Sequence, residues 1–345
     1  MPILRFVRTA DQAMRIATFN VESLDLPVAP RASVLRPALE RLRADILCLQ
    51  EINGQRIAGQ SGRSLEALER LIDGMAYAGY HRAASGGGHG GGVADVHNLV
   101  TLSRFRITAS RRIHHDLLPP VACGLVTADP RGEASPICFE RPMLVTEHEI
   151  GQATLTVINA HLRAPLASVV PGQKLAPFAW RSVGGWAEGY YVSALKRSGQ
   201  ALELRLLIDQ LFDRDPEALI VAAGDFNAED HETPVRIVAG APEDTGNPLL
   251  SGRAMVVLDR GIERSRRFSV LHHGRPQMVD HLLSSHRLFG HLRGIEVHNE
   301  ALGDEAMGYS RGIEPAGSWH APVVAEFDLG VPPVAGVEGA TASKE

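Results

Sequence analysis

The stretch Ala218-Leu-Ile-Val-Ala-Ala-Gly-Asp-Phe-Asn227 decides the fold class of this chain. Its first six residues are apolar, and a run of that length ending at Gly224 is typical of a strand buried on both faces. The stretch then places Asp225 and Asn227 at the strand end, where burial alone does not require polar residues. Because strand ends in α/β sheets carry the side chains that meet a ligand, the stretch predicts a buried strand and part of a functional site.

Five further segments combine a strand-like apolar run with a polar residue at or near one end. These residues are Asn20 in 15–21, Glu51 after 45–50, His161 after 153–160, Asp280 in 278–283 and His320 before 321–324. Each has a plain structural alternative, such as a turn for Asn20, a solvated strand end for Glu51 or a core histidine for His161. Asp280 fits such alternatives least, because a carboxylate within an apolar strand needs a partner.

Segments with helical spacing alternate with these strands. We predict helices over 30–43, over 64–75 with Ser64 as N-cap, and over about 192–212. Further strands are predicted over 98–103 and over 141–147, the latter paired with 153–160 through a turn near Gly151. This alternation predicts the α/β class, as a four-layer α/β sandwich of two mixed β-sheets flanked by helices.

The chain is predicted to hold one catalytic domain over residues 15–329. Residues 1–14 are interpreted as an N-terminal extension and 330–345 as a disordered tail. The glycine-rich run 86–92 is interpreted as a mobile surface loop, with phosphate binding as the alternative. The segment 163–189 is predicted to be irregular, and long loops of that kind are often binding or lid elements.

Composition limits the possible functions. The 345 residues carry a formal net charge of -5, which argues against a protein that coats nucleic acid by electrostatics alone. The N-terminus lacks the apolar core of a secretion signal, and no apolar stretch approaches the roughly 20 residues that span a bilayer. We therefore expect a cytoplasmic protein, without a membrane span and monomeric. Cys48, Cys123 and Cys138 are expected to be reduced, with a Cys123–Cys138 disulfide as the alternative.

The polar residue types at the strand ends favour one kind of chemistry. Glu51 and Asp225 offer hard carboxylate oxygens, and Asn20 and Asn227 offer amide oxygens. This set suits Mg²⁺ or Mn²⁺ together with a substrate phosphate. Two histidines, with an Asp available to orient one of them, suit proton transfer or the stabilisation of developing charge.

Taken in order, these segments resemble the endonuclease/exonuclease/phosphatase superfamily, which includes deoxyribonuclease-like and exonuclease III-like enzymes. The matching motifs are Thr18-Phe-Asn-Val-Glu22, Leu49-Gln-Glu51, Leu102-Ser-Arg104, Asn159-Ala-His-Leu162, Gly224-Asp-Phe-Asn227, Val279-Asp-His281 and Ser318-Trp-His-Ala-Pro-Val323. They extend over roughly 15–329, and Gly224-Asp-Phe-Asn227 is the most specific. The resemblance implies a divalent-metal-dependent phosphoesterase.

The resemblance also implies roles for these residues. Metal would be held by Glu51 with Asn20 nearby, and Asp225, fixed by Asn227, would orient or deprotonate the attacking water. His320, oriented by Asp280, would stabilise charge on the phosphoryl oxygens, and His161 would bind phosphate or protonate the leaving oxygen.

One position departs from the family pattern. The residue before the last histidine is usually an Asp that helps to hold metal, and here it is Trp319. Either Glu51 holds a single metal, or Glu22 supplies a replacement carboxylate. The departure also motivates the alternative of a catalytically degenerate binding scaffold.

The substrate is less well defined by the sequence. We favour nucleic acid, with Arg104, Trp180 and Arg181 as candidate substrate contacts. Arg104 belongs to one basic cluster with Arg106, Arg111 and Arg112, and 260–267 holds a second, although either could be a solvated face. Small or lipid phosphoesters are the alternative, but residues 275–280 lack the P-A-W-x-D-R motif of the inositol-phosphatase branch.

Overall fold

The computed structural model describes residues 13–56, 59, 62–86, 92–313 and 315–330. Within these residues, twelve strands build the two large sheets. In chain order they are β1 (Met14–Leu24), β2 (Ile46–Ile52), β3 (His81–Ala84), β4 (Asn98–Ser103), β5 (Ile107–Ile113), β6 (Met143–Ile150), β7 (Ala153–His161), β8 (Leu219–Asp225), β9 (Met255–Val257), β10 (Asp280–Ser285), β11 (Leu292–Val297) and β12 (Val323–Phe327). The first sheet has the order β11-β12-β1-β2-β4-β3 and the second β9-β10-β8-β7-β6-β5. Each mixes parallel and antiparallel neighbours.

Helices and short hairpins complete the described part of the chain. The helices are α1 (Ala29–Leu42), α2 (Glu66–Ile72), α3 (Val183–Arg214), α4 (Thr233–Ala239), α5 (Pro242–Thr245), α6 (His286–Phe289) and α7 (Glu305–Ser310). Short 3₁₀ helices occupy Ala76–Gly79, Pro248–Arg253 and Leu258–Gly261. Two-stranded ladders join Gln55–Arg56 with Arg63–Ser64, Val121–Cys123 with Ser135–Ile137, Lys174–Ala176 with Ala179–Trp180, and Val270–His272 with Arg275–Gln277.

Three apolar layers separate the helices and sheets. Leu35 of α1 and Leu68 of α2 pack on the first sheet. The two sheets meet through a second layer that includes Ile16, Cys48, Val221 and Val323. The third layer joins the second sheet to α3 and α4, and includes Leu204, Leu207, Ile220 and Val235. The resulting order of helix, sheet, sheet and helix confirms the predicted four-layer sandwich.

The register of the central strands brings the polar strand ends to one edge. β1 and β2 run parallel, with Asn20 opposite Gln50 and Glu51 as the next residue. β7 and β8 run parallel, with His161 opposite Asp225. β10 runs antiparallel to β8 and begins at Asp280, which lies opposite Asp225. The ends of β7 and β8 therefore lie beside the start of β10.

Two local predictions are wrong. Residues 163–189 are not irregular throughout, because Lys174–Ala176 and Ala179–Trp180 form a hairpin and α3 begins at Val183. The side chain of Ser182 caps α3 by accepting from the Gly185 N–H at 2.9 Å. The glycines that indicate a loop are packing positions instead: a Cβ at Gly189 would lie 2.3 Å from the Ser168 carbonyl oxygen.

Ser64 does not cap α2. It pairs with Gln55 in a two-stranded ladder, and the helix begins two residues later at Glu66. Cys48, Cys123 and Cys138 are all free thiols, as expected. No helix among the described residues has both the length and the apolar character needed to cross a bilayer. The predictions for 1–12, for 87–91 of the glycine-rich run and for 331–345 lie outside the described residues.

Candidate active site

Asp225 lies at the centre of the polar strand ends. Its Oδ2 atom is 3.2 Å from His161 Nε2 and 3.9 Å from His320 Nε2, and its side chain is almost fully buried. Burial would raise the pKa of Asp225, but the facing imidazoles of His320 and His161 outweigh burial and lower it well below the usual value. The carboxylate is therefore ionised and flanked by two histidines. We call Asn20, Glu51, His161, Asp225, Asp280 and His320 the strand-end cluster.

Two asparagines orient the carboxylates of this cluster. Asn20 Nδ2 donates to Glu51 Oε1 at 3.2 Å and to Asp225 Oδ2 at 3.1 Å, while its Oδ1 accepts from the Glu22 N–H. Asn227 donates to Asp225 from both its backbone N–H, at 2.8 Å, and its Nδ2, at 3.1 Å. Its side chain also donates to the Leu162 carbonyl. These bonds fix the positions of the two carboxylates before any ligand arrives.

His320 and Asp280 form a buried pair. His320 Nδ1 lies 2.8 Å from Asp280 Oδ2. Burial disfavours the imidazolium, but Asp280 and Asp225 outweigh burial and raise the pKa of His320 well above its usual value. Burial, partly offset by His320, also raises the pKa of Asp280. The imidazolium form of His320 is favoured, because two carboxylates face its ring.

Glu51, the penultimate residue of β2, lies at the border of the cluster with a side chain that is 13% exposed. Its Oε2 accepts from the backbone N–H and the hydroxyl of Ser23 at 3.0 and 3.1 Å. Burial opposes ionisation, but His161, His97 and Arg141 outweigh burial and lower the pKa of Glu51 to about 2. An anionic carboxylate at this position suits a cation ligand.

His97 and Arg141 also belong to the site, and the strand-end pattern did not identify them. His97 Nδ1 lies 3.7 Å from Glu51 Oε2, and burial lowers the pKa of His97 to about 4. Arg141 Nη1 contacts His161 Nε2 and donates to the Leu162 carbonyl at 3.2 Å. His97 immediately precedes β4, which pairs antiparallel with β2. Arg141 lies two residues before β6, which pairs antiparallel with β7. Polar residues just before such strands are the signal that would have found them.

The backbone around the site is unusual. Eight described residues other than glycine have positive φ, and five of these lie at or beside the cluster: Glu22, Ser23, Glu51, His97 and Asn227. Positive φ costs energy for residues with a Cβ, and such residues concentrate at functional sites. The positive-φ residues therefore indicate the same location for the functional site as the strand-end side chains do.

The donor set fits a divalent cation. Burial raises the pKa of Glu22, hydrogen bonding from Tyr309 opposes this rise, and the nearby Glu51 adds to it. Two carboxylates that repel each other are stabilised by a cation between them. Two sets of three side chains among the described residues also have possible ligand atoms within 4.8 Å of one another. One set is Glu51, His97 and His161, and the other is Asp225, Asp280 and His320. Oxygen donors suit Mg²⁺ or Mn²⁺, whereas imidazole suits later transition metals.

Trp319 does not leave a gap in the fold. Its ring is buried against α7 and the preceding turn, where a Cβ at Gly308 or Gly303 would lie 2.1 or 2.6 Å from it. The same helix carries Tyr309, whose ring meets Trp319 edge to face and whose hydroxyl donates to Glu22 Oε1. The residue that replaces the usual Asp therefore supports a helix that holds a different carboxylate.

Trp319→Ala should lower the free energy of unfolding by about 3–5 kcal/mol, the range for deleting a buried large aromatic side chain. Urea unfolding followed by circular dichroism measures this change. Trp186→Ala, at a tryptophan that is 45% exposed, is the matched control and should cost far less. Equal losses for the two variants would contradict the packing role of Trp319.

Three candidate substrate contacts lie elsewhere. Arg104 forms a salt bridge with Asp45 at 2.9 Å. Asp45 immediately precedes β2, so this pair lies at the opposite end of that strand from Glu51. Arg181 pairs with Asp129, and Lys174 lies over the Trp180 ring. The structure does not bring these three residues into the cluster. In the second basic cluster, Arg260 and Arg267 pair with Asp230.

The paired carboxylates and histidines of the strand-end cluster suit the chemistry of a metal-dependent phosphoester hydrolase. A model of the Endonuclease/Exonuclease/phosphatase family matches residues 17–301, and the chain belongs to that family. No curated protein matches the chain significantly.

Solved structures of similar fold cover 92% of this chain. They include a truncated TDP2 from Caenorhabditis elegans, with 16% identity, TM-score 0.54 and 98% of its own length covered. An AP endonuclease from Archaeoglobus fulgidus has 18% identity and TM-score 0.50, with its whole chain covered. The 3' phosphatase NExo from Neisseria, bound to a product DNA hairpin, has 18% identity and TM-score 0.51, again with its whole chain covered. At these identities the likeness establishes the fold.

Proposed function

We propose that this protein is a divalent-metal-dependent phosphodiesterase that acts on nucleic acid, with residues 15–329 as its catalytic domain. The observation that carries the proposal is the position of Asp225, an ionised carboxylate between two histidines and tied to Glu51 through Asn20. A carboxylate held ionised between two histidines and fixed by two asparagines is suited to orient an attacking water. Two of the similar structures, a TDP2 from Danio rerio and NExo, are described with DNA products.

Asp225 would orient the attacking water and accept its proton, since its carboxylate is held by Asn20 and Asn227. His320, protonated and fixed by Asp280, would stabilise negative charge on the phosphoryl oxygens. His161 and Arg141 would bind the phosphate on the side opposite His320, and His161 Nε2 would protonate the leaving oxygen. Arg141 suits this task because a guanidinium binds phosphate oxygens through two parallel N–H groups.

A divalent cation bound near Glu51 would act as a Lewis acid toward the phosphate oxygens. Glu51 and Glu22 are the carboxylates that would hold it, with Asn20 fixing Glu51 through its Nδ2 group, and Mg²⁺ or Mn²⁺ is the ion that oxygen donors favour. Tyr309 would position Glu22 through its hydroxyl group. Glu22 would thus take the place of the carboxylate that Trp319 replaces.

Chelation should abolish turnover, because the carboxylates alone would repel the substrate phosphate. The test is hydrolysis of single-stranded and duplex DNA, RNA, p-nitrophenyl phosphate and a phospholipid after EDTA treatment, with Mg²⁺, Mn²⁺ or Zn²⁺ restored in turn. Restoration by Mg²⁺ or Mn²⁺ on a nucleic acid supports the proposal. Turnover of only the small or lipid esters would replace the substrate class, and no turnover with any metal would favour a binding scaffold.

A further inference from the structure

A cavity of about 620 Å³ lies beside the strand-end cluster. His97 and Arg141 line the cavity and also contact the cluster, so the two spaces adjoin. Arg112 and Arg163 line it as well, and its volume falls within the range of ligand pockets. The cavity is therefore a candidate for the part of a substrate next to the reacting phosphate.

The charges on the cavity wall favour an anion. Burial lowers the pKa of Arg141, Glu51 and Asp225 oppose that shift, and the like charge of Arg163 adds to it. Arg163 Nε is shielded from solvent without a hydrogen-bond partner among the described residues. Of the two acids on the wall, Glu140 forms a salt bridge with Lys196 and also interacts with the charge of Arg163, and Asp116 accepts the His114 N–H.

Buried side chains of α3 hold this wall in place. Gln200 Oε1 accepts the Arg163 N–H at 2.7 Å, and its Nε2 donates to the Arg141 carbonyl at 3.0 Å. Glu203, fully buried, accepts the N–H groups of His115 and Leu117 at 3.0 and 2.9 Å. Both arginine backbones and the adjoining loop are thus fixed by one helix, which is how a binding wall is preorganised.

We propose that this cavity is a subsite for a second phosphate of the substrate, next to the one that is hydrolysed, with Arg163 and Arg112 as its ligands. The inference rests on the proposed function and adds a substrate requirement to it. A guanidinium fork matches the geometry of phosphate oxygens, which an ammonium group does not. Substrates with two phosphates should therefore be hydrolysed more efficiently than substrates with one.

Turnover of three thymidine oligonucleotides tests the preference. TpT has one phosphate, pTpT adds a terminal monoester, and TpTpT adds a second diester in the chain. For the wild type, kcat/KM for pTpT, for TpTpT or for both should be about tenfold or more above kcat/KM for TpT. The substrate that shows this gain identifies whether the second phosphate is a terminal monoester or a diester of the chain. Arg163→Gln should remove most of that ratio and Arg163→Lys should retain part of it. Arg287→Gln, at an arginine whose side chain is 60% exposed, should leave the ratio unchanged.

Binding in EDTA separates this subsite from catalysis. Calorimetric titration with thymidine 3′,5′-bisphosphate should show an affinity about tenfold weaker for Arg163→Gln and for Arg112→Gln than for the Arg287→Gln control. Thermal melting checks that each variant is folded. If the wild type binds the bisphosphate through these arginines but hydrolyses no ester, the subsite stands and the proposed function fails. Equal affinity in all variants, or no binding by the wild type, overturns the subsite.

Discussion

Asp225→Asn is expected to lower kcat by a factor of about 10³ or more, the upper part of the range for removing a positioned general base. The substitution keeps the shape of the side chain but removes the charge that faces His161 and His320. An amide cannot accept the proton of the attacking water. It would also present an NH₂ group where Asn20 and Asn227 already donate, which disturbs their orientation. Steady-state kinetics on the best nucleic-acid substrate measure the loss.

Asp244→Asn is the matched control for this experiment. It makes the same chemical change at a carboxylate that is 65% exposed and paired only with Arg236 among its described contacts. Its kcat should equal that of the wild type, and both variants should retain the native circular-dichroism spectrum. A pure Asp225→Asn protein that keeps more than a tenth of wild-type turnover would remove Asp225 from the mechanism.

The strand-end residues could be predicted from the sequence because strand pairing follows simple rules. Asn20, Glu51, His161 and Asp225 end apolar runs, and the ends of parallel strands lie at one edge of a sheet. Their close approach across two different sheets does not follow from the strand patterns, because it depends on the packing of one sheet on the other; the family resemblance alone implied it. The Asn20 bond to Asp225 is such a contact.

His97 and Arg141 were not predicted because they precede strands and do not end them. Antiparallel pairing brings the start of β4 beside the end of β2, and the start of β6 beside the end of β7. A residue just before a strand therefore lies at the same edge of the sheet as the last residue of the antiparallel partner strand. The start of α3 was missed for a different reason, since Gly185 and Gly189 weaken the helical pattern but allow close packing. Helix propensity gives no account of such contacts.

Asp280→Asn is expected to have the second largest effect, about 10²–10⁴ in kcat, because the neutral amide no longer orients and stabilises a protonated His320. In the wild type, Asp280 and Asp225 raise the pKa of His320 well above its usual value. Protonated His320, and hence activity, is then present below that raised pKa and is lost as the pH rises through it. Removing the Asp280 charge lowers the pKa of His320, so the basic limb of the pH profile of kcat should move to lower pH.

The direction of this shift distinguishes electrostatics from simple loss of structure. A damaged fold would reduce kcat at every pH without moving the limb, whereas a changed His320 pKa moves the limb itself. His320→Gln should lack the His320 limb altogether, which identifies the group that titrates. Asp259→Asn is a useful second variant, since Asp259 holds the neighbouring His281 at 2.7 Å. Asp259→Asn disturbs a buried histidine–carboxylate pair outside the cluster. Its kcat should therefore fall at every pH, while the basic limb of the pH profile stays at the same pH. A basic limb that is unmoved in Asp280→Asn would assign the titration to a group other than His320.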